Sequence, residues 1–256
     1  MQGKVVLITG VARGIGKSVA EAVAKKGAIV AGFDILKNEL QELERDLKNS
    51  KTDYLLEKVD ITQKEACKLF VEKVIQKFNR IDIVIHSAGI THIAPSTETN
   101  LEDFDKLIQI NLLGTIYISQ LCLPKVIENK GSIVGISSVA GYSPLYYRTA
   151  YAASKYGVWG YLETLHAEMK EKEVHVMTVC PSFVETKLQE NQQKYFTNNT
   201  NEALTTEYVA QEILKGLEYK KKLLFIGKTA KLAYWIHKLF PRFYEKVMIK
   251  KTKVVN

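Results

Sequence analysis

The chain has 256 residues, of which 46% are hydrophobic, and this size and composition are typical of one large α/β domain with a sizeable core. It has no run of eighteen apolar residues, and a strand-like segment beginning at Lys4 leaves no room for a secretory signal, so we expect a cytoplasmic protein. Almost all of the net charge of +8 lies at the end of the chain: residues 228–256 hold eight basic residues and one acidic residue. Charge confined to one such segment argues against a nucleic-acid-binding protein.

The first strand, helix and intervening turn predict a phosphate-binding site. Residues 4–9 form a β-branched run typical of a buried parallel strand, and a helical pattern ends at Lys26. Between them lies a glycine-rich turn, where glycines let the backbone approach a pyrophosphate and the helix amino terminus holds its charge. We predict that the cofactor is contacted in this turn by Gly10, Arg13, Gly14, Ile15 and Gly16.

The second strand, residues 28–33, ends at Asp34, which lies 18 residues after Gly16. An acidic residue at this spacing accepts hydrogen bonds from the ribose hydroxyls of the adenosine, and it repels a 2′-phosphate. We therefore favour NAD(H), although Arg13 and Lys37 lie close enough in sequence to bind that phosphate and leave NADP(H) open. The alternative is that Asp34 is only a turn residue at the strand end.

The remaining apolar runs and helical patterns alternate along the chain. Further strands are predicted over residues 54–59, 81–85, 132–138, 174–180 and 223–226. Further helices are predicted over residues 36–49, 62–78, 100–125 and 206–219, the second of them starting with a capping box at Thr62. This alternation predicts a single doubly wound α/β domain of the Rossmann type over residues 1–227, with about seven parallel strands and helices on both faces. Its ligand should bind beyond the carboxyl ends of the strands.

Polar residues that could take part in catalysis follow the fourth and fifth strands. Asn111 lies in the apolar run of the helix predicted over residues 100–125, where an unpaired amide would cost roughly 1–3 kcal/mol. Ser138 ends the fifth strand, and Tyr151 and Lys155 share one helix face at a four-residue spacing. A free phenol titrates near pH ~10, and one cation at ~4 Å supplies the ~4 kcal/mol that would bring it near neutrality. The pair is therefore a candidate acid–base catalyst.

These motifs in this order resemble the short-chain dehydrogenase/reductase family over about residues 3–227. The resemblance implies an oxidoreductase that transfers hydride between a nicotinamide and a carbonyl or secondary alcohol, with Tyr151 as general acid/base. It also implies that Lys155 lowers the pKa of Tyr151 and binds the nicotinamide ribose, that Ser138 binds the substrate oxygen, and that Asn111 holds a water behind Lys155. Further cofactor contacts are implied at Asp60, Ile61, Ala88, Gly89, Pro181 and Thr186, with Asp60 facing the adenine.

Two motifs depart from the family pattern. His86 and Ser87 stand where the family usually has two asparagines before Ala88 and Gly89, and we expect His86 to take over a structural role. Ser182 stands where the family has a glycine after Pro181. Both changes leave the candidate catalytic groups in place.

The three cysteines are scattered singly along the chain. Cys67, Cys122 and Cys180 form no C-x-x-C pattern, so we predict neither a disulfide framework nor a metal site. We expect all three to be small buried residues.

The last parts of the chain concern the substrate and partners. Residues 183–204 resemble the family's substrate loop in position, and residues 228–256 form an amphipathic helical tail, with Pro241 starting a second helix or kinking the first. The tail fits either a peripheral contact with an anionic membrane or, as we prefer, a lid or oligomer contact. We expect a homo-oligomer, dimer or tetramer, and a hydrophobic small-molecule substrate, steroid-like or acyl. The alternative functions are a catalytically silent nucleotide sensor and a membrane-peripheral binding protein.

Overall fold

The computed structural model describes residues 1–186 and 203–252, and its seven parallel strands form one sheet in the order β3-β2-β1-β4-β5-β6-β7. The strands are β1 Val5–Thr9, β2 Ile29–Asp34, β3 Tyr54–Lys58, β4 Ile83–His86, β5 Ser132–Ile136, β6 His175–Pro181 and β7 Leu223–Ile226. The order reverses between β1 and β4, which is where doubly wound sheets bind their ligands. The predicted Rossmann-type fold is confirmed.

Helices cover both faces of the sheet, which explains why its strands are continuously apolar. The helices are α1 Gly14–Ala24, α2 Lys37–Asn49, α3 Lys64–Phe78, α4 Leu101–Leu107, α5 Gly114–Glu128, α6 Thr149–Glu168, α7 Thr206–Glu218, α8 Lys228–Leu239 and α9 Pro241–Thr252. One core lies under α1, α2 and α7, and the other lies under α3, α5 and α6. Cys67, Cys122 and Cys180 are buried free thiols, as expected.

A π-helical segment, Ile108–Leu113, joins α4 and α5 into one continuous helical stretch. This stretch, Leu101–Glu128, is long and apolar enough by length and composition to cross a membrane. It packs instead against α3 and α6 in the domain, with Ile118 and Cys122 fully buried. We therefore interpret it as a core helix.

The tail forms two helices, because Pro241 begins α9 and does not merely kink α8. Its inner side is attached to the segment that follows β5. The Tyr142 hydroxyl donates to the carbonyl oxygen of Ala230 over 2.7 Å, and the Ser143 hydroxyl donates to that of Ala233 over 3.3 Å. Tyr244 of α9 is also buried.

Two local expectations need comment. The capping box predicted at Thr62 is wrong: α3 begins at Lys64, and Asp60 accepts hydrogen bonds from both the backbone N–H and the hydroxyl of Thr62. Most of the predicted substrate loop, residues 187–202, lies outside the described residues, as does the end of the tail, residues 253–256. The two described ends of the loop meet, since the Leu204 N–H donates to the Phe183 carbonyl oxygen over 2.9 Å.

Two helical glycines provide a matched test of the close packing at the first turn. A Cβ at Gly16 would collide with the backbone carbonyl of Gly10, whereas a Cβ at Gly160 in α6 would meet no atom of the described residues within 4 Å. We predict that Gly160→Ala raises the free energy of unfolding by about 1 kcal/mol through helix propensity. Gly16→Ala should lower it by about 1–3 kcal/mol through overpacking.

Denaturant unfolding of both variants beside the wild type measures the difference. Equal effects of the two substitutions would show that the turn does not require close backbone approach at Gly16.

Candidate active site

The glycine-rich turn between β1 and α1 has the shape and polarity of a phosphate cradle. Gly10 has a φ of +65°, and a Cβ there would lie 2.7 Å from the Cα of Ala88. The helix α1 begins at Gly14, and within the described residues its N-cap Arg13 makes no side-chain capping bond. The first turn of α1 carries no acidic residue either, so the positive end of the helix is left for an anion. A dinucleotide pyrophosphate fits this turn.

Asp34 lies beside the cradle at the end of β2. Its Oδ2 accepts a hydrogen bond from the Ala12 N–H over 3.1 Å, and its Oδ1 accepts one from the Leu36 N–H over 3.2 Å. The carboxylate therefore stabilises the strand-end turn, as in the alternative prediction. Each carboxylate oxygen has more than one acceptor position, so these bonds leave capacity for ribose hydroxyls.

The other predicted cofactor contacts lie in different surroundings. Asp60 is exposed after β3, whereas the Ile61 side chain is buried against Gly114 of α5. Ala88 follows β4, and its N–H donates to the Thr9 hydroxyl over 3.1 Å, which ties β4 to β1 at the cradle. Thr186 lies on the other side of the cradle, with its Cγ2 3.6 Å from where a Cβ of Gly14 would lie.

The four predicted catalytic residues come together beyond the carboxyl ends of β4 and β5. Ser138 caps the 3₁₀ turn Val139–Gly141, where its hydroxyl accepts from the Ala140 N–H over 3.2 Å. It lies beside Tyr151, which is buried on α6, and its hydroxyl lowers the pKa of that phenol. The Lys155 ammonium donates to the carbonyl oxygen of Ile136 over 2.9 Å. A serine hydroxyl, a phenol and an ammonium group thus occupy one site.

Asn111 holds this site together from the π-helical segment. Its Oδ1 accepts from the Ile90 N–H over 2.8 Å, and its Nδ2 donates to the Ile90 carbonyl over 3.0 Å. The same Nδ2 donates over 2.9 Å to Ser154, the neighbour of Lys155. Gly89 lies between these groups, since a Cβ there would be 3.2 Å from Asn111 Oδ1 and 3.6 Å from Lys155 Nζ. The buried amide therefore has partners on two other elements.

The electrostatics differ from the sequence-based expectation. Burial raises the pKa of Tyr151, and the opposing effects come first from the Arg148 charge and then from the Ser138 hydrogen bond. Lys155 Nζ is 5.8 Å from the Tyr151 ring centroid, and burial lowers the pKa of this lysine to about 8. Its ammonium donates to the Ile136 carbonyl, and it is not among the groups that shift the pKa of Tyr151.

Arg148 is a candidate functional residue that the sequence analysis missed. It is buried, its Cζ lies 5.6 Å from the Tyr151 ring centroid, and its Nη1 donates to the Thr91 hydroxyl over 2.9 Å. It precedes Tyr151 by three residues, so the i, i+3 spacing could have indicated it. Its place in a tyrosine-rich loop before the helix obscured that spacing.

Both departures from the family pattern have structural explanations. His86 is buried in β4, and its Nε2 is 2.8 Å from the Ser119 hydroxyl of α5, so it has the structural role that we expected. Burial lowers the pKa of His86 to about 3, which keeps the ring neutral. Ser182 is not among the described residues with positive φ, so its turn does not need a glycine conformation. Its hydroxyl occupies the space beside Gly227.

Comparison with known proteins identifies the family. Residues 4–195 match the family described as short chain dehydrogenase. The chain belongs to the short-chain dehydrogenase/reductase family. It is therefore an oxidoreductase of the family whose members use NAD(H) or NADP(H), act on alcohol or carbonyl groups, and commonly form oligomers.

Three individual proteins are similar to this chain in sequence or in fold. The 3-oxoacyl-[acyl-carrier-protein] reductase FabG of Thermotoga maritima is 40% identical over 74% of this chain and 78% of its own length. The D-threitol dehydrogenase of Mycolicibacterium smegmatis is 35% identical over 73% of each chain. A solved short-chain dehydrogenase/reductase of Burkholderia phymatum in complex with NAD has a TM-score of 0.87, covers 94% of this chain and 95% of its own, and is 18% identical. At that identity the structural match supports the fold alone.

The buried neutral His86 predicts a pH-dependent stability. Its folded-state pKa of about 3 lies below the unfolded value of 6.5, so its contribution is complete above pH 6.5 and is lost as the pH falls. We predict that wild-type unfolding free energy decreases between pH 6.5 and pH 5 by about 1.4 kcal/mol per pH unit from this group. His86→Asn should remove that slope and leave only the smaller pH dependence that comes from His175. Burial lowers the pKa of His175 as well.

Urea unfolding of both proteins across this pH range measures the two slopes. Parallel slopes would contradict the assignment of a buried neutral His86.

Proposed function

We propose that this protein is an NAD-dependent oxidoreductase that interconverts a carbonyl and a secondary alcohol on a hydrophobic substrate. The observation that carries the proposal is the buried Tyr151, which lies beside the Ser138 hydroxyl and between the cations of Arg148 and Lys155. A nucleotide sensor would need the phosphate cradle but not this constellation. We therefore prefer an enzyme over a catalytically silent nucleotide sensor.

In the proposed mechanism each residue acts at a defined step. During reduction, the Tyr151 hydroxyl donates its proton to the substrate oxygen while the Ser138 hydroxyl holds that oxygen by a second hydrogen bond. Arg148 stabilises the phenolate that remains, Lys155 returns a proton to it, and Asn111 keeps α6 in place. The nicotinamide, when bound, supplies or accepts the hydride. A lysine with a pKa of about 8 can also exchange protons with solvent near neutrality, which supports its place in returning the proton to Tyr151.

The residues at the site hold the cofactor in this proposal. The turn Gly10–Gly16 with the amino terminus of α1 takes the pyrophosphate, and Asp34 takes the adenosine ribose. The buried Lys155 takes the nicotinamide ribose, with Thr186 at the opposite side of the cradle. The Asp34 carboxylate favours NAD(H) because it would repel the 2′-phosphate of NADP(H).

Apolar side chains around Tyr151 support a hydrophobic substrate. Ile90, Phe104 and Leu145 are partly buried and pack with the cluster that contains Tyr151. The similarity to a 3-oxoacyl reductase is consistent with an acyl substrate. A small polyol is the competing substrate class, because a relative of 35% identity is a D-threitol dehydrogenase.

A substrate and variant series tests the proposed reaction. Purified protein is assayed by nicotinamide absorbance with 3-oxoacyl thioesters, steroid ketones and medium-chain ketones on one side, and with threitol and related polyols on the other. We expect the hydrophobic carbonyl compounds to have the higher kcat/KM. Tyr151→Phe should lose about 10²- to 10⁴-fold in kcat because the proton donor is gone.

Tyr156→Phe is the matched control, since Tyr156 lies on the same helix and is 43% exposed. It should retain wild-type activity. Equal turnover by Tyr151→Phe would overturn the mechanism, and preferred turnover of polyols would overturn the substrate class.

A charge-neutral variant tests the coenzyme preference. Asp34→Asn keeps the size of the side chain but removes the charge that opposes a 2′-phosphate. We predict that it lowers the NADH to NADPH ratio of kcat/KM by roughly tenfold or more, as expected for one close charge pair. Asp53→Asn, an exposed change before β3, is the control and should leave the ratio unchanged. A wild-type preference for NADPH would contradict the assignment to Asp34.

A further inference from the structure

The two C-terminal helices present a large exposed apolar area. It is formed by side chains that are 47% to 63% exposed, namely Leu232, Trp235, Leu239, Phe240 and Phe243. Three of them lie at or next to the corner where α8 gives way to α9. Adjacent exposed large hydrophobic residues on a protein surface mark an interaction site more often than single ones do.

Exposed basic side chains lie on the same two helices as these apolar residues. The exposed cations are Lys231, Lys238, Arg242, Lys246 and Lys250. Lys238 Nζ is 6.0 Å from the Trp235 ring centroid, so cationic and apolar groups are direct neighbours. The residues 228–252 contain a single acid, Glu245. We call the five apolar residues and five cations together the tail surface.

The opposite side of these helices is held firmly on the domain. The Tyr234 ring lies 5.5 Å from Tyr142 and 4.9 Å from Phe225, and Tyr142 donates to the Ala230 carbonyl. The apolar residues of the inner side are thus already covered by protein. The tail surface is the side of these helices that the domain leaves exposed.

We propose that the tail surface binds peripherally to an anionic lipid bilayer. Aromatic and aliphatic side chains would enter the interface between headgroups and acyl chains, while the neighbouring cations contact anionic headgroups. A second copy of the chain is a poorer occupant. A two-fold dimer places the same surface on both sides, so five cations would face five cations with one acid on each side to offset them.

The position of the tail surface relates it to the active site. The helix α8 begins directly after β7, at the carboxyl ends of the strands, where Ser138 and Tyr151 also lie. A bilayer at the tail surface would bring these strand ends near lipid-soluble molecules. The binding itself does not depend on the proposed reaction and is tested separately from it.

Vesicle binding of the full-length protein tests the proposal. Sedimentation is measured with vesicles of phosphatidylcholine alone and of phosphatidylcholine with 30 mol% phosphatidylserine (about one anionic lipid in three, a charge density that retains basic segments). We expect binding to the anionic vesicles, little binding to the neutral ones, and weaker binding at high salt. Absent binding to anionic vesicles, or equal binding to both kinds, would overturn the proposal.

Matched charge variants locate the binding surface. The tail variant changes Lys238, Arg242 and Lys246 to Gln. The control variant changes Lys25, Lys26 and Lys51 to Gln; these three lysines lie at the amino ends of the strands. Both lose three charges. The tail variant should bind anionic vesicles on the order of a hundredfold more weakly, at about fivefold for each cation near the surface. Equal losses in the two variants would mean that net charge alone drives binding, and would overturn the tail surface as the site.

Fluorescence and sedimentation distinguish a lipid from a second copy. The chain has two tryptophans, so Trp159→Phe leaves Trp235 as the reporter. Its emission should shift to shorter wavelength with anionic vesicles. A shift that instead follows protein concentration without vesicles, together with loss of a dimer in Phe243→Ser by analytical ultracentrifugation, would assign the surface to self-association and overturn the lipid proposal.

Discussion

The burial of Tyr151 is the constraint to which the rest of the site responds. Enclosing a phenol in protein disfavours the phenolate and raises its pKa, which by itself would make the residue a poor base near neutrality. The surrounding groups act against this effect: the Arg148 charge stabilises the phenolate, and the Ser138 hydroxyl adds a hydrogen bond. A cation at the 5.6 Å separating Arg148 from the ring contributes about 3 kcal/mol at an effective dielectric of about 20. This contribution opposes the effect of burial, although the pKa of Tyr151 remains above its usual value.

The position of α6, which carries Tyr151 and Lys155, is controlled by a second buried group, the amide of Asn111. It bonds the loop after β4 through Ile90 and the helix of the candidate catalytic pair through Ser154, so three elements share one side chain. The Ser154 hydroxyl in turn donates to the Tyr151 carbonyl over 2.7 Å. Removing such a group would leave buried backbone atoms without partners, which costs more than the net value of a hydrogen bond. The π-helical segment around Asn111 is where the helix accommodates this bridge.

Much of the fold and part of the site could be predicted from local patterns. Continuous apolar strands, the Gly10–Gly16 turn and the Tyr151–Lys155 spacing each follow from short-range sequence, and the structure brings these parts to one sheet edge. Contributions from distant contacts could not be read in this way. The closeness of Arg148 to the Tyr151 ring depends on how the loop before α6 folds back toward Thr91. The exposed side of the tail likewise depends on which residues the domain covers, and it leaves Lys238 beside the exposed Trp235.

Replacement of Arg148 tests most directly the claim that a buried cation sets the proton affinity of Tyr151. The measurement is the pH dependence of alcohol oxidation by Arg148→Met, with Arg148→Lys as the charge-retaining control. Without the cation the phenolate is less stable, so the alkaline rise in rate should move to higher pH and the rate at pH 7 should fall about tenfold. The lysine variant should stay close to wild type. An unchanged pH profile in a folded Arg148→Met protein would contradict the account.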